Sequence, residues 1–591
     1  MRPYDLSPTV RIEGHDGAAR RGWPDVARAH VLEGARVLTV ECYSGVFEDE
    51  IIDALGAERT VVRAADAFRP PDEIDRLVRP DLTHDPVFGR LTSLGLEAFL
   101  EPSALEAVRR RALEAEGPVL VVGAGATLVH PGDALVYADM PRWEHQLRFR
   151  RGTVGNLGAD NADARTAEQY KRGYFVDWRV LDRHKRATME RWDVVLDTTR
   201  PGDPRLVTGD AYREALAQTA RRPFSPVPFF DPGPWGGQWM RRVCGLDARD
   251  DLEGDPRPPN YAWSFNGVPE EESLLLQFGD VTLETPALNL VFAQPDALLG
   301  ADVRARFGDE FPIRFDFLDT MGGGNLSLQV HPLAEYAREH FGLDYTQDES
   351  YYLLDAKPGA VVYLGLEDGV DPAAMERDLR AAQTGGPPFP ADDYAARWPV
   401  RKHDHVSIPA GTVHCSGAGS MVLEISATPY IFTFKLWDWD RLDLDGRPRP
   451  IHLERGLANV QWDRDRTWVR DNLIGQTVPV PSAGSGQAIE GDGWREERTG
   501  LHDSECIETR RHWFTASVPR DTEGTVHVLC LVEGEAAVIE SPTDAFPPFE
   551  VGYAEVVIVP AAVGQYVVRP AGVGAEELGL LTAFVRTTAE R

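Results

Sequence analysis

The sequence predicts a multidomain protein in which an α/β domain with a parallel sheet precedes two β-rich, double-sheet domains. A chain of 591 residues is too long for one hydrophobic core. Apolar strands alternate with helical segments in the first third of the chain, and short strands separated by Gly and Pro fill the remainder. We therefore place three domains at residues 1–222, 223–480 and 481–591.

The composition restricts the function classes. The formal net charge of −32 excludes nucleic acid or an anionic membrane as the main partner. Five scattered cysteines without a CxxC motif indicate a reducing compartment. The N-terminus lacks an apolar signal region, and no apolar run is long enough to span a membrane. We expect a cytoplasmic protein that acts on a small molecule.

The first domain is predicted from four apolar strands separated by helical stretches. The first strand is followed by the loop ECYSGVF and by a helix, EDEIIDALGAE. Strands that alternate with helices favour a parallel sheet covered on both faces. The four strands lie at residues 37–40, 119–125, 134–140 and 192–199.

This order of features resembles P-loop kinases of the uridine-kinase kind. A D-x-P element at Asp139 and Pro141 precedes an Arg-rich helix, as in those enzymes. The phosphate-binding loop GxxxxGK[ST] is degenerate here, because its lysine and magnesium-binding hydroxyl are missing and Glu48 stands where phosphate would sit. The resemblance implies a scaffolding or regulatory domain that does not bind ATP. We expect the Arg-rich helix to be a solvated surface.

The β-rich region contains two clusters of strands, near residues 270–440 and 505–590, and the first begins with LLLQFGDVTL. Each cluster has a hairpin followed by a strand ending in Pro-Ala, VSIPAG in the first and VVIVPAA in the second. This repetition suggests tandem jelly rolls of the cupin type. Residues 373–398 form a helical insertion in the first. The second has no histidine near VPAAVGQY and is predicted to lack a metal.

The first jelly roll carries a candidate metal site. Side chains alternate along a strand, so the segment LSLQVH directs Ser327, Gln329 and His331 to one face. Glu349 begins the next strand, and the turn PxGxxH ends at His414. A single strand histidine is more often an ordinary core or surface residue. Together, two imidazoles and a carboxylate are ligands that zinc accepts.

The motifs QVHP, ExxYxLDAxPGA, IPAGTVH and KLWDWDR resemble those of type I mannose-6-phosphate isomerases, from residue 234 to the end of the chain. The resemblance implies one Zn²⁺ per chain and isomerisation of mannose 6-phosphate to fructose 6-phosphate through a cis-enediol. The residues that it implies are the metal ligands Gln329, His331, Glu349 and His414, the catalytic residues Lys435 and Glu424, and the substrate-binding residues Ser327 and Gln347.

Three departures from the family pattern alter the expected pocket. Lys435 replaces an arginine, Gln347 replaces a lysine, and Asp316 lies where a lysine is common. Lys435 keeps its charge but lacks the planar fork of arginine. Two readings stay open: an isomerase with an altered pocket, and a non-catalytic, metal-containing sugar-binding or regulatory cupin fused to a pseudokinase domain. Glu424 is either a catalytic acid or base or an orienting carboxylate. The candidates to replace the lost cations are Arg314, Lys357, Arg401 and Lys402.

Overall fold

The structure is a computed structural model that describes residues 2–32, 34–246, 260–427, 432–443, 446–480, 490–500, 502, 505–572 and 576–586. The chain forms two compact units. The first, here called the α/β unit, comprises Thr9–Ala220 and Pro269–Gln294. The second, the β unit, comprises Met1–Pro8, Arg221–Val268 and Pro295–Arg591. Within the described ranges, no helix combines the length and apolarity needed to cross a membrane. The domain boundaries at 222 and 480 stay a prediction.

The strands occur throughout both units and are short. In chain order they are β1 Thr9–Arg11, β2 Ala19–Arg21, β3 Val37–Cys42, β4 Thr60–Arg63, β5 Val119–Gly123, β6 Ala134–Asp139, β7 Val194–Asp197, β8 Arg205–Thr208, β9 Phe229–Asp231, β10 Trp263–Phe265, β11 Ser273–Phe278, β12 Val281–Pro286, β13 Arg314–Asp319, β14 Leu328–Val330, β15 Glu349–Ala356, β16 Val361–Leu366, β17 Ala395–Pro399, β18 His405–Ile408, β19 His414–Ser416, β20 Ser420–Ser426, β21 Phe434–Trp437, β22 Val478–Pro479, β23 Glu490–Gly491, β24 Trp494–Arg498, β25 Ile507–Phe514, β26 Val518–Asp521, β27 His527–Glu533, β28 Ala536–Glu540, β29 Phe549–Gly552, β30 Val556–Val559, β31 Gln565–Pro570 and β32 Leu578–Val585.

The helices are concentrated in the first half of the chain. They are α1 Trp23–Val26, α2 Glu48–Leu55, α3 Pro71–Leu82, α4 Pro102–Glu114, α5 Ala126–Val129, α6 Arg142–Arg150, α7 Thr166–Arg172, α8 Trp178–Thr188, α9 Gly209–Thr219, α10 Trp239–Val243, α11 Leu288–Ala293, α12 Pro295–Leu299, α13 Ala301–Phe307, α14 Ala334–Phe341, α15 Pro372–Gln383, α16 Ala391–Tyr394, α17 Leu453–Asn459 and α18 Arg466–Asn472.

The α/β unit is built on a seven-stranded sheet with the order β2-β8-β7-β6-β3-β5-β4. The strands from β4 to β7 are parallel, as the sequence predicts, and β8 and β2 extend the sheet in antiparallel pairing. Every residue of β3, β5 and β6 is buried. Continuous apolar strands of this kind are expected where helices cover both faces. If the parallel strands are numbered along the chain from β3, their spatial order in the sheet is 2-3-1-4-5.

A later segment of the chain completes the α/β unit. Strand β11 pairs in parallel with β1 and antiparallel with β12, and α11 follows. The expectation that LLLQFGDVTL belongs to the β-rich region is therefore wrong. An alternating hairpin pattern does not specify which sheet it joins, because tertiary pairing decides that. Asn289 of α11 fixes the segment, since its amide donates to Asp139 at 2.9 Å and accepts from Lys185 at 3.1 Å.

The Arg-rich helix α6 is not the solvated surface that the sequence suggested. Arg142 and Arg148 are buried, whereas Arg150 and Arg151 are exposed. Arg142 forms an ion pair with Asp182, and Arg148 donates to the carbonyl oxygens of Gly45 and Thr198 at 2.8 and 2.7 Å. Buried guanidinium groups are expected to have such partners. These arginines fix the loop after β3.

The β unit contains two pairs of antiparallel sheets. The first pair has the orders β18-β15-β20-β13-β10-β9 and β17-β16-β19-β14-β21. The second pair has seven strands, β22-β24-β25-β32-β27-β30 with β23 on β24, and four strands, β26-β31-β28-β29, which share one apolar core. Closure of these sheets into tandem barrels stays a prediction.

The predicted helical insertion is present in part. Helix α15 begins at Pro372, which suits the first helical position, and the Asp371 side chain accepts from the Ala373 amide at 3.0 Å. The helix predicted over DDYAARW ends after Tyr394, and Ala395–Pro399 forms strand β17 instead. Pairing with β16 overrides the local helical pattern there.

Candidate metal centre

The candidate metal ligands come from three neighbouring strands. Gln329 lies in β14 directly opposite His414, the first residue of β19. His331 follows the last residue of β14, and Glu349 begins β15 in the facing sheet. All four side chains are buried, and those of Glu349 and His414 are fully so. Both sheets of the first pair therefore contribute to one interior site.

Two imidazoles and one carboxylate converge within hydrogen-bond distance. His331 Nε2 lies 3.0 Å from Glu349 Oε2, and His414 Nε2 lies 2.9 Å from Glu349 Oε1. One ligand atom from each residue lies within 4.8 Å of the others. Gln329 brings its side-chain amide 3.2 Å from His414 Nε2, and a half-turn of that amide presents its oxygen instead. Within the ranges described, His331, Glu349 and His414 form the one group of three or more His, Cys, Asp or Glu residues arranged closely enough to hold a metal ion.

The two histidines place their Nε2 atoms against the Glu349 carboxylate. His331 Nδ1 lies 3.1 Å from the Phe432 carbonyl oxygen, and His414 Nδ1 lies 2.8 Å from that of Thr412. A carbonyl oxygen only accepts, so each Nδ1 carries a hydrogen and Nε2 is the ring atom that faces the carboxylate. A divalent metal accepts imidazole nitrogen and carboxylate oxygen as ligands. The residues thus fit a divalent metal.

Gln347 and Glu424 extend the site. Gln347 donates from its side-chain amide to Glu349 at 2.8 Å and to Glu424 at 3.3 Å. Burial raises the pKa of Glu349, but the neighbouring His331 and His414 outweigh this effect and hold that pKa well below its usual range. Burial, reinforced by the charges of Glu349 and Asp316, raises the pKa of Glu424 well above its usual range. Two adjacent carboxyl groups therefore differ in their affinity for a proton.

A group of cationic side chains surrounds Ser327 and Lys435. Lys435 lies opposite Gln329 in the β14–β21 pairing. Burial, assisted by the positive charge of Arg449, lowers the pKa of Lys435 to about 7. Arg449 donates to the Ser327 hydroxyl at 3.4 Å and pairs with Asp438 at 2.8 Å. Arg441 also pairs with Asp438. We call Ser327, Lys435, Arg441 and Arg449 the cationic cluster.

Arg441 and Arg449 were not among the predicted site residues. Their position in the basic stretch that follows KLWDWD, 6 and 14 residues beyond Lys435, is the one sequence feature that links them to the site. Both guanidinium groups lie over the ring of Trp235, at 5.7 and 4.9 Å from its centroid. Trp235 precedes them by about two hundred residues, so no local pattern reveals the grouping.

The substitutes that the sequence suggested for the lost cations have other partners. Arg314 donates to Ser426 at 2.8 Å and lies 3.4 Å from Asp316 and 3.8 Å from Glu424. Arg401 pairs with Asp404 and Lys402 with Glu533, and Lys357 packs its side chain by Gly419. Of these four suggested substitutes, Arg314 is the one that lies close to Asp316 and Glu424.

Comparison with known proteins matches different parts of the chain to different groups. Residues 22–221 match a family described as a domain of unknown function, DUF8485. Mannose-6-phosphate isomerase of Streptococcus mutans is 29% identical over 229 residues, which are 38% of this chain and 63% of that protein. Mannose-6-phosphate isomerase ManA of Bacillus subtilis is 30% identical over 154 residues, 26% of this chain and 45% of that protein. The chain thus spans less than two thirds of these relatives.

Solved structures with some similarity also carry mannose-phosphate isomerase names. The mannose 6-phosphate isomerase of Bacillus subtilis aligns over 61% of this chain and 99% of its own, with 16% identity and a TM-score of 0.47. A phosphomannose isomerase variant from Salmonella typhimurium aligns over 61% and 99%, with 14% identity and a TM-score of 0.44.

Proposed function

We propose that the β unit is a zinc-dependent aldose–ketose isomerase that acts on a sugar phosphate of the mannose 6-phosphate kind. The observation that carries the proposal is the convergence of one ligand atom each from His331, Glu349 and His414 on one buried point. Sequence similarity to mannose-6-phosphate isomerases supports the reaction class.

Gln329, His331, Glu349 and His414 would hold one zinc ion per chain. When bound, zinc supplies a Lewis acid that stabilises negative charge on the sugar oxygens. The hydrogen bonds from the two Nδ1 atoms to backbone carbonyls fix the rings with Nε2 turned towards Glu349, where zinc would be held. Gln347 orients the Glu349 carboxylate through its 2.8 Å hydrogen bond.

Glu424 is the group that we assign to proton transfer at carbon. In the isomerisation, C2 of the open-chain aldose loses a proton while O1 gains one, giving a cis-enediol. O2 then loses its proton and C1 gains one, giving the 2-ketose. In its ionised form the Glu424 carboxylate would accept the C2 proton and return it at C1, and its raised pKa makes it the stronger base. Lys435, whose pKa is about 7, exchanges the proton between the two oxygens.

The cationic cluster supplies the positive charge that a phosphate group requires. Arg449 reaches the Ser327 hydroxyl, and a phosphate beside both would accept from the guanidinium and the hydroxyl together. Arg441 adds charge, and the two guanidinium groups share the single carboxylate of Asp438. This local excess offsets a chain of net charge −32.

The test is a turnover measurement on the full chain loaded with one zinc per chain. We expect conversion of mannose 6-phosphate to fructose 6-phosphate, with solvent deuterium entering C1 when the reaction runs in D2O. His414→Ala should abolish turnover, whereas the exposed His340→Ala should not. A zinc-loaded protein that converts neither mannose 6-phosphate nor mannose would refute the isomerase.

One observation favours the alternative, a non-catalytic metal-containing sugar-binding or regulatory protein joined to a pseudokinase domain. Gln347 occupies the position of a family lysine and is bound to both Glu349 and Glu424. The neutral amide of Gln347 cannot form an ion pair with a substrate phosphate. Saturable binding of fructose 6-phosphate by the zinc-loaded chain without turnover would support this alternative.

A further inference from the structure

The α/β unit contains a cleft that the proposed isomerase does not use. Its volume is about 930 Å³, which lies in the range of sites for small organic molecules. Residues after the ends of β3, β4 and β5 line it, together with the loop 153–160. In parallel sheets, ligands bind beyond the carboxyl ends of the strands where the strand order reverses. Strand β3 lies at that reversal, because later strands continue on both of its sides.

Backbone amides of the glycine-rich turn after β5 already bind carboxylates of the protein. Glu41 is buried and accepts from the amides of Gly125 and Thr127 at 2.6 and 2.8 Å. Glu48 accepts from the amide of Ala124. Gly123 has φ +123°, and a Cβ atom there would lie 2.9 Å from Glu48, so the missing side chain permits this approach. The glycine-rich turn after β5 is therefore occupied by internal anions.

The charged side chains of the cleft leave an excess of negative charge. Four carboxylates line it, and the two guanidinium groups that line it already have acidic partners. Arg63 pairs with Asp49 at 2.6 Å, and Arg69 lies 3.6 Å from Glu73. The carboxylates are those of Glu48, Asp49, Glu50 and Asp160. This excess of negative charge, in a chain of net charge −32, would repel an anionic ligand.

Most of the remaining wall is apolar or aromatic, with Ser44, Thr153 and Asn156 as its polar members. Phe47 and Phe68 line the cleft and are partly exposed, and Arg148 lies 4.2 Å from the Phe47 ring centroid on a buried side of the loop. Aromatic faces attract flat ligands and cations. Gly158 allows the loop 153–160 to approach, since a Cβ atom there would lie 2.7 Å from Phe68.

We propose that this cleft binds a cationic organic molecule with an aromatic or apolar body and excludes nucleoside polyphosphates. The carboxylates of Glu48 and Asp49 would meet the positive charge, and Phe47 and Phe68 would contact the ring. The site is independent of the metal centre, so its test does not depend on the isomerase reaction.

Matched probes test the charge requirement on the full zinc-loaded chain. Tryptamine and indole-3-propionate share an indole ring but carry opposite charges, and ATP represents the polyphosphates. By calorimetry we expect tryptamine to bind with a dissociation constant on the order of 0.1–1 mM, a value reasonable for so small a ligand. Indole-3-propionate and ATP should bind at least ten-fold more weakly. Equal or tighter binding of either anion, or no saturable binding of tryptamine, would overturn the proposal.

Variants locate the site. Glu48→Gln and Asp49→Asn should each weaken tryptamine binding about five- to ten-fold, whereas Asp72→Asn should not. Asp72 is an exposed carboxylate paired with Arg76 outside the cleft. Asp49 is exposed in its side chain by 81%, so its substitution does not threaten folding. Unchanged affinity in Asp49→Asn would contradict the assignment even if Glu48→Gln failed to fold.

The pH dependence provides a separate readout. Burial raises the pKa of Glu48 to about 7, opposed by Arg63 and reinforced by Asp49 and Glu41, while the Ala124 amide lowers it. A cation binds the ionised carboxylate better, so tryptamine affinity should rise several-fold between pH 6 and 8, a range in which its ammonium group stays protonated. The rise should disappear in Glu48→Gln, and a rise that persists in that variant would exclude Glu48 from the site.

Discussion

The Gln347 side chain joins two carboxylates, because its amide nitrogen lies 2.8 Å from Glu349 and 3.3 Å from Glu424. One of these carboxylates belongs to the candidate metal ligands, and the other is the proposed proton carrier. The neutral amide thereby separates a group of low proton affinity from one of high proton affinity. The uncharged residue is suited to this position because it donates without adding a charge.

Gln347→Ala should weaken metal binding about 10- to 100-fold, the usual effect of removing a group that orients a ligand. The reason is that the Glu349 carboxylate loses its donor and faces Glu424 directly. Competition with a chelator of known affinity measures the effect. The exposed Gln383→Ala is the control and should behave as wild type. An unchanged metal affinity in Gln347→Ala would show that the hydrogen bond does not orient Glu349.

His414→Ala and Gln329→Ala should reduce zinc from one per chain to a small fraction after dialysis. His414 provides a buried nitrogen that faces Glu349, and Gln329 lies beside it. Elemental analysis of the purified chain gives the number directly. His340→Ala removes an exposed imidazole from α14 and should leave the zinc content intact. Full zinc occupancy in both site variants would place the metal elsewhere.

Arg449→Met should raise KM for the phosphorylated sugar about 10- to 100-fold, because a charge-assisted hydrogen bond is worth roughly 1.5–3 kcal/mol. Turnover of unphosphorylated mannose, if it occurs, should change little. Arg447→Met is the matched control, since Arg447 is exposed and lies two residues away. Equal losses with both sugars would mean that Arg449 supports the fold and does not recognise phosphate.

Glu284→Gln should stabilise the α/β unit more at pH 8 than at pH 5. Burial and the nearby Asp197 raise the pKa of Glu284 to about 7. The carboxyl group therefore contributes its full stability below its unfolded pKa, near ~4.3, and loses that contribution as the pH rises through 7. Measured by urea unfolding, the stabilisation caused by Glu284→Gln should be about 2 kcal/mol larger at pH 8 than at pH 5. The exposed Glu190→Gln should change the unfolding free energy equally at both pH values. A change caused by Glu284→Gln that is the same at pH 5 and pH 8 would show that Glu284 ionises normally.

Asn289→Leu should destabilise the α/β unit by about 2–4 kcal/mol, because Asp139 and Lys185 would lose a partner in a fully buried site. Asn289 also donates to Tyr212 at 2.9 Å. Hydrogen exchange of the β6 amides reports the loss locally. The control Asp280→Asn changes an exposed turn residue of the same segment. Unaltered protection in Asn289→Leu would mean that the network is dispensable.

The convergence of His331, Glu349 and His414 could be predicted because the sequence marks two of the three locally, while their role as metal ligands stays a prediction. Alternation along LSLQVH places Gln329 and His331 on one face, and the PxGxxH turn marks His414. The contact of Glu424 with the site depends on the pairing of β15 with β20, where Tyr351 lies opposite Glu424. That pairing joins residues about seventy positions apart, and no periodicity in either strand specifies it.

Other features depended on burial that the sequence does not reveal. The charge pattern of α6 is typical of an exposed helix, yet Arg142 and Arg148 find partners on α8 and in two loops. The hairpin of β11 and β12 carries the same alternation as the strands of the β unit, and only its pairing with β1 assigns it. Arg449 donates to Ser327 and lies over the ring of Trp235, and both of these residues are far from it in the sequence.

The return of residues 269–294 to the α/β unit has a consequence for synthesis of the chain. During translation, strands β3 to β8 leave the ribosome before β11, so the strand beside β1 and the amide that meets Asp139 and Lys185 are still absent. The nascent α/β unit must wait until about residue 294 has emerged, by which time the first strands of the β unit have already been made. Completion of the first unit therefore requires chain beyond the start of the second, and neither a ribosome-bound nor a recombinant fragment ending at residue 222 would contain a complete first unit.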